Sequence, residues 1–192
     1  MILDVVKYGH PALRQKGVRI ESVTLAIKQL IADMFETMYA NKGVGLAAQQ
    51  VGQAVQLTVI DVRGATDRPS SLELKGKPAD VNDFMPLVLI NPEIKPVGDS
   101  VAGPEGCLSF PEIFADITRP EFVEVKALNE AGKPIEFRAG GLLGRAVQHE
   151  VDHLNGILFI DRMDRKTKEG LRPELEDLQA DTREALQSAR KK

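Results

Sequence analysis

Residues 142–155 set the hardest packing problem in the chain. Leu143, Ala146, Val147, Val151 and Leu154 recur at helical spacing, yet the same stretch carries His149-Glu150-Val151-Asp152-His153, and Gly156 stands just beyond its end. A helix turns about 100° per residue, so positions four apart stand on one face, one turn from each other. Both imidazoles can therefore reach a single metal ion. Glu150 flanks that face, placed to contact a water on the ion without binding the ion itself. A bare five-residue match of this kind also arises by chance in polar helices. Here the apolar neighbours make the segment a core element, where an imidazole is costly unless it is hydrogen-bonded or metallated.

Two histidines do not complete a catalytic metal site, so the third ligand decides the class. The pattern H-E-x-x-H-x-x-G-x-x-H is followed as far as Gly156 and fails at Phe159. Glu169, Glu174 and Glu176 lie downstream, in what reads as a surface tail helix. His10 precedes Pro11 without a partner at ligand spacing and reads as structural or exposed. The chain has one cysteine, which excludes an intrachain disulfide and any C-x-x-C site. That Cys107 stands in Glu105-Gly106-Cys107-Leu108-Ser109, a tight turn after Gly103-Pro104, and is the better candidate, since a divalent cation would hold its sulfur as thiolate. A buried, unreactive thiol is the alternative.

With 192 residues, 43% of them hydrophobic, the chain suffices for one domain with a real core, and no apolar run approaches the ~18 residues of a membrane span. The opening Met1-Ile2-Leu3-Asp4 does not resemble a secretion signal, so a cytoplasmic location is expected. A net charge of -3 offers no overall basic field for nucleic acid. Ile27, Leu30, Ile31, Met34, Phe35 and Met38 predict a helix over residues 23–41, stopped by Asn41-Lys42-Gly43. Residues 55–62 read as a strand buried on both faces, and residues 63–86 as a polar surface insertion or hairpin excursion. A short buried strand follows at 87–91. Residues 122–128 alternate, with Val123, Val125 and Ala127 on one side, and Ile135 and Phe137 pair back across a turn at 129–133. Residues 161–192, with Leu171, Leu175, Leu178 and Leu186, form an amphipathic surface helix. Strands and helices come in blocks, which predicts an α+β fold: mostly antiparallel strands around a central metal-binding helix, with a C-terminal surface helix. Residues 1–165 are expected to form the catalytic domain and 166–192 its helical extension.

Three blocks, G-V-G-L-A-A-Q-Q at 43–50, E-G-C-L-S at 105–109 and Q-H-E-V-D-H at 148–153, resemble in order and spacing the signature motifs of the peptide deformylases. The flanking chain from Asp4 to about Asp161 is similar too. The resemblance implies hydrolysis of the formyl group from formylmethionyl nascent polypeptides. It also implies one divalent metal ion, Fe2+ in the cell, with Zn2+, Ni2+ or Co2+ as substitutes. Cys107, His149 and His153 would be the ligands, leaving a fourth position for a water whose pKa falls toward about 7. Glu150 would serve as general base and then acid. By resemblance, Gln50 and the Leu108 N–H form the oxyanion hole; taken alone, Gln50 reads equally as a solvent-facing turn residue. Val44, Gly45 and Leu46 would pair with the substrate backbone as an added strand, and Leu142 and Arg145 would line or rim the methionine pocket. Leu142 as plain core and Arg145 as a surface cap are the alternatives. Many relatives carry Arg where this chain has Phe114, so an apolar contact replaces a polar one there. The tail resembles the C-terminal helix of the bacterial branch, which implies ribosome contact through Arg183 and Arg190-Lys191-Lys192; a solvated helix end explains the same residues. A monomer is expected.

Overall fold

The computed structural model describes residues 1–190. Helix α1, Leu25–Ala40, begins where Thr24 accepts from the Ile27 N–H and buries Ile31, Met34 and Met38. Its stop differs from the expectation: the left-handed residue is Lys42, at φ 55°, and Gly43 is not. Strands β1, Gly45–Ala47, and β2, Leu57–Ile60, follow, and all four residues of β2 are buried as read from the sequence.

The segment expected as an insertion does form a hairpin, but it joins the sheet. It contributes β3, Ser70–Leu74, and β4, Lys77–Pro78, followed by the single-turn helix α2, Val81–Phe84. Strand β3 pairs with β7, Pro134–Gly140, and buries Leu72. The expected short strand at 87–91 is the start of β5, Leu87–Cys107, which turns through Leu108 and Ser109 into β6, Phe110–Leu128. Pro96, Gly98, Gly103 and Pro104 read as breakers in sequence. Past Ile90, β5 has only β6 beside it, so a proline there costs no ladder bond if its nitrogen faces the open side. Register shifts between Ile90 and Glu93 and between Val97 and Ser100 absorb further irregularity.

Among the described residues the strands form one antiparallel sheet in the order β1-β2-β5-β6-β7-β3-β4. The fold class is α+β, as expected. Across it lies α3, Gly141–Leu154, the helix of the histidines, touching β1, β2, β3, β5, β6 and β7. Leu143, Val147 and Val151 pack with Ile60, Leu89, Val123, Val125 and Phe137 in one core cluster. A second cluster lies under α1, and a third joins Leu13, Phe110, Ile117, Phe159 and Leu175. The tail is not one helix. A 3-10 turn at Phe159–Asp161 precedes α4, Arg165–Gly170, and α5, Arg172–Ala189, which restarts after Leu171 with Pro173 in its first turn. Proline belongs there because its missing N–H is one that a helix start leaves unpaired anyway. Lys191 and Lys192, named above with the tail, lie outside the described residues.

The hairpin of residues 63–86 has a structural task. Helix α3 starts without a side-chain cap at Gly140, and its first N–H groups are met by the neighbouring strand instead. Leu142 N–H donates to Pro69 O at 2.9 Å and Leu143 N–H to Ser70 Oγ at 3.0 Å. Gly141 sits at φ 60°, where a Cβ would lie 2.2 Å from Pro69 O. Ser70→Ala is expected to lower stability in urea titration by about 1 kcal/mol. Gly141→Ala should cost about 2 kcal/mol or more, from the left-handed strain and the clash with Pro69.

Candidate metal centre and catalytic cavity

Helix α3 is unusual in burying its polar face as well as its apolar one: Gln148, His149, Glu150, Asp152 and His153 are all inside. Each buried polar group needs a partner. His149 and Asp152 find theirs in Glu105 and Arg119, which sit opposite on β5 and β6, and Gln148 donates to Pro120 O and Gly144 O. Glu105 accepts from Arg119 Nε at 2.6 Å and Nη2 at 2.9 Å, from Arg145 Nη1 at 2.9 Å, and pairs with His149 Nδ1 at 2.8 Å. Arg119 Nη1 continues to Asp152 Oδ2 at 2.9 Å, and Arg162 closes on Asp152 from the other side at 2.8 Å. Burial opposes a charge on Glu105, yet the donations from His149 and Arg119 hold its carboxyl well below the usual carboxylate range.

Because Glu105 occupies Nδ1 of His149, Nε2 is the nitrogen left for the interior. His153 Nε2 lies 3.3 Å from Cys107 Sγ, and one donor atom each from Cys107, His149 and His153 lies within 4.8 Å of the others. A sulfur and a nitrogen ligand on one tetrahedral cation stand roughly 3.5 Å apart, given bonds of ~2.3 and ~2.0 to 2.1 Å. The soft thiolate and two imidazoles, one already fixed by an acidic partner, fit a transition metal or zinc. Two buried polar atoms beside this group have no hydrogen-bond partner among the described residues: His153 Nδ1 and Glu150 Oε2. Burial pushes the Glu150 carboxyl up to about 7, with His149 pulling the other way.

Two of the three donors, Cys107 and His149, border a cavity of about 520 Å³, in whose wall Glu150, Gln50, Leu108, Leu142 and Arg145 also stand. Gln50 is fixed in one orientation. Its Oε1 accepts from the Ala47 N–H at 2.9 Å, which turns Nε2 toward Cys107 Sγ at 3.5 Å and Ser109 Oγ at 3.3 Å. The reading of Gln50 as solvent-facing is thus overturned, and Gln49 is just as buried, with Nε2 donating to Leu154 O at 3.3 Å.

Val44 and Gly45 line the cavity, whereas the Leu46 side chain is fully buried in the cluster under α1. Strand β1 is a sheet edge. Val44 O accepts from Asp61 N–H and Leu46 O from Thr58 Oγ1, both of β2's side, so by strand alternation the N–H and C=O of Gly45 face the open edge. A Cβ on Gly45 would lie 2.4 Å from Glu150 Oε1, which explains why glycine stands there. Leu142 lies in the cavity wall and in the core at once. Arg145 borders the cavity, but its guanidinium is committed to Glu105, Ile117 O and Val101 O. Phe114 stands at the rim, 70% exposed, its ring against Gly106.

Elsewhere the placements are simpler. His10 Nδ1 accepts from Ala12 N–H and caps a short 3-10 helix. Glu169 and Glu176 pair with Arg165 and Arg172 on the tail's surface, and Phe159 packs near His149 in the core. Glu105, Arg119 and Asp152 received no role from the sequence, although Glu105 and Asp152 lie within the quoted blocks. A carboxylate inside a buried helix without a nearby base in sequence was the available sign that a distant arginine must answer it.

Residues 2–169 match the family model for polypeptide deformylase. The chain is 49% identical over 178 residues to a peptide deformylase of Methylacidiphilum infernorum, covering 93% of each, and 44% identical over 187 residues to one from Opitutus terrae, covering 96% of this chain and 97% of that one. Its fold resembles the crystal structure of Arabidopsis thaliana peptide deformylase 1B in complex with an inhibitor, with a TM-score of 0.81 at 38% identity over 95% of this chain and 93% of that one.

Glu105→Gln tests the support of the donor set. Removing the charge that meets Arg119, Arg145 and His149 is expected to weaken metal binding about 10- to 100-fold in a competition titration. It should also lower stability by about 3 to 5 kcal/mol, because buried guanidinium charge is left without its counter-ion.

Proposed function

From the premise that this chain belongs to the polypeptide deformylase family, metal-dependent hydrolases that remove N-formyl groups from nascent polypeptides, we propose how its own residues carry out that reaction. The observation that carries the reading is the buried, unpartnered Oε2 of Glu150 at a cavity whose wall holds Cys107 and His149, two of three converging donors. Cys107, His149 and His153 hold the divalent ion. When bound, the ion supplies Lewis acidity that readies water as a nucleophile at neutral pH. Ferrous iron is the resident ion in this reading, and Zn2+, Ni2+ or Co2+ can replace it.

Glu150 takes a proton from the attacking water and returns it to the departing amine, a sequence one carboxylate can serve. The formyl oxygen gains negative charge as its carbon becomes tetrahedral. Gln50 Nε2, already aimed by Ala47, and the Leu108 N–H donate to that oxygen. The peptide lies along the open edge of β1, with Gly45 offering both backbone groups, Val44 alongside and Leu46 contributing backbone only. Leu142 lines the slot for the methionine side chain. Arg145 shapes that slot through its hold on Glu105 rather than by contacting substrate. Past the methionine, Phe114 presents an apolar face.

The same reading takes the chain as a cytoplasmic monomer, with residues 1–165 as the catalytic domain and 166–192 as its extension. Among the described residues no helix is long and apolar enough to cross a membrane. Helix α5 buries only Leu175 and leaves Arg183 and most of its length exposed, a face available for ribosome contact.

The direct test is formate release from a formyl-Met peptide by enzyme reconstituted anaerobically with ferrous ion. The wild-type chain is expected to turn over. Glu150→Gln should keep one equivalent of metal while kcat falls by about 10²- to 10⁴-fold. Undiminished turnover by that variant would remove the acid–base role.

A further inference from the structure

The N-terminal segment borders the cavity at Lys7 and ties together the two segments that carry the oxyanion donors. Val6 N–H donates to Gln50 O at 2.8 Å, and Tyr8 N–H donates to Ser109 O at 3.0 Å. Between them, Lys7 Nζ donates to Leu108 O at 2.8 Å across 101 residues of sequence. Tyr8 adds a stacked contact with Phe110, ring centroids 4.9 Å apart, at the first residue of β6. Both carbonyls of the Leu108–Ser109 turn are therefore held by residues 7 and 8.

Lys7 differs from its neighbours in carrying a charge. It is half-buried and lines the catalytic cavity. Among the described residues no carboxylate lies within salt-bridge reach of it, and the one hydrogen bond of its ammonium goes to Leu108 O, next to Cys107. Drawing an ammonium partly out of water without a counter-ion is costly. The charge therefore stands at the cavity wall, on the turn that bears the Leu108 N–H, where negative charge develops when a formyl group is attacked.

We propose that Lys7 is a positioning residue for this hydrolysis, fixing the turn that bears Cys107 and the Leu108 N–H and adding a fixed positive charge to the wall where the oxyanion forms. The proposal rests on the deformylase reading of the cavity. Its effect belongs to the transition state and to the anionic product, not to the neutral peptide substrate, so it separates kcat from KM.

The experiment compares Lys7→Met, of similar length without charge, with Lys7→Arg, which keeps the charge. Each is loaded with ferrous ion and assayed on one formyl-Met peptide. Lys7→Met is expected to lose roughly ten-fold or more in kcat, with KM within about two-fold of wild type. Lys7→Arg should recover most of the loss. A readout without turnover accompanies this: the dissociation constant for formate, measured by calorimetry, should rise several-fold in Lys7→Met and return toward wild type in Lys7→Arg. Equal kcat in Lys7→Met and wild type, a loss expressed in KM, or an arginine variant as slow as the methionine one would each overturn the proposal. Should Lys7→Met not fold, Lys7→Gln replaces it under the same criteria. A wild-type chain that releases no formate would instead count against the function itself, which keeps the two failures apart.

Discussion

One buried carboxylate, that of Glu105, organises the molecule around its centre. It draws Arg119 from β6, Arg145 and His149 from α3, and through Arg119 it reaches Asp152 and then Arg162 beyond the helix. Such a network gives little net stability, because each charge has left water; its value lies in leaving one arrangement in which every member is paired. Helix α3 can bury its polar face only in that arrangement. The orientation of His149 follows from it directly, and that of His153, one turn on, follows from the helix.

Around this frame the cavity is assembled from short backbone segments held by non-local bonds. Gln50 is aimed by Ala47, the Leu108 turn by Lys7 and Tyr8, and the start of α3 by Pro69 and Ser70. Each of these pins a group whose usefulness depends on direction more than on chemical type, which is the condition for electrostatic stabilisation of a developing charge. Glu150 is the exception. Its Oε2 is buried and unpaired, and its Oε1 lies where a side chain on Gly45 would displace it. Together with the unpaired Nδ1 of His153, that Oε2 marks where the site expects something that is not protein.

What could be read from sequence follows the range of the interactions involved. Helix α3 and the pairing of His149 with His153 were legible because a local period fixes them. So were the α+β class, the doubly buried β2 and the alternation of Val123, Val125 and Ala127. Strand β5 was not legible beyond Asn91, since its prolines and glycines are excused only by the partner β6 and by bulges that local pattern does not display. The hub escaped for the same reason: Glu105 meets Arg119, Arg145 and His149 at separations of 14, 40 and 44 residues. Gln50 and Leu108 were reached through resemblance alone, and their geometry rests on residues 6 to 8, which carried no signal. Left-handed Lys42 in place of Gly43 shows that even a recognisable helix stop does not reveal which residue makes the turn.

The central claim is that Cys107, His149 and His153 grip one ion and leave part of its coordination free of protein. X-ray absorption at the iron edge of the anaerobically reconstituted chain measures this most directly. The account predicts one sulfur and two imidazole nitrogens, with the remaining shell made of light, exchangeable scatterers that change when formate is added. A shell without sulfur, or one filled by a fourth protein ligand and indifferent to formate, would contradict it.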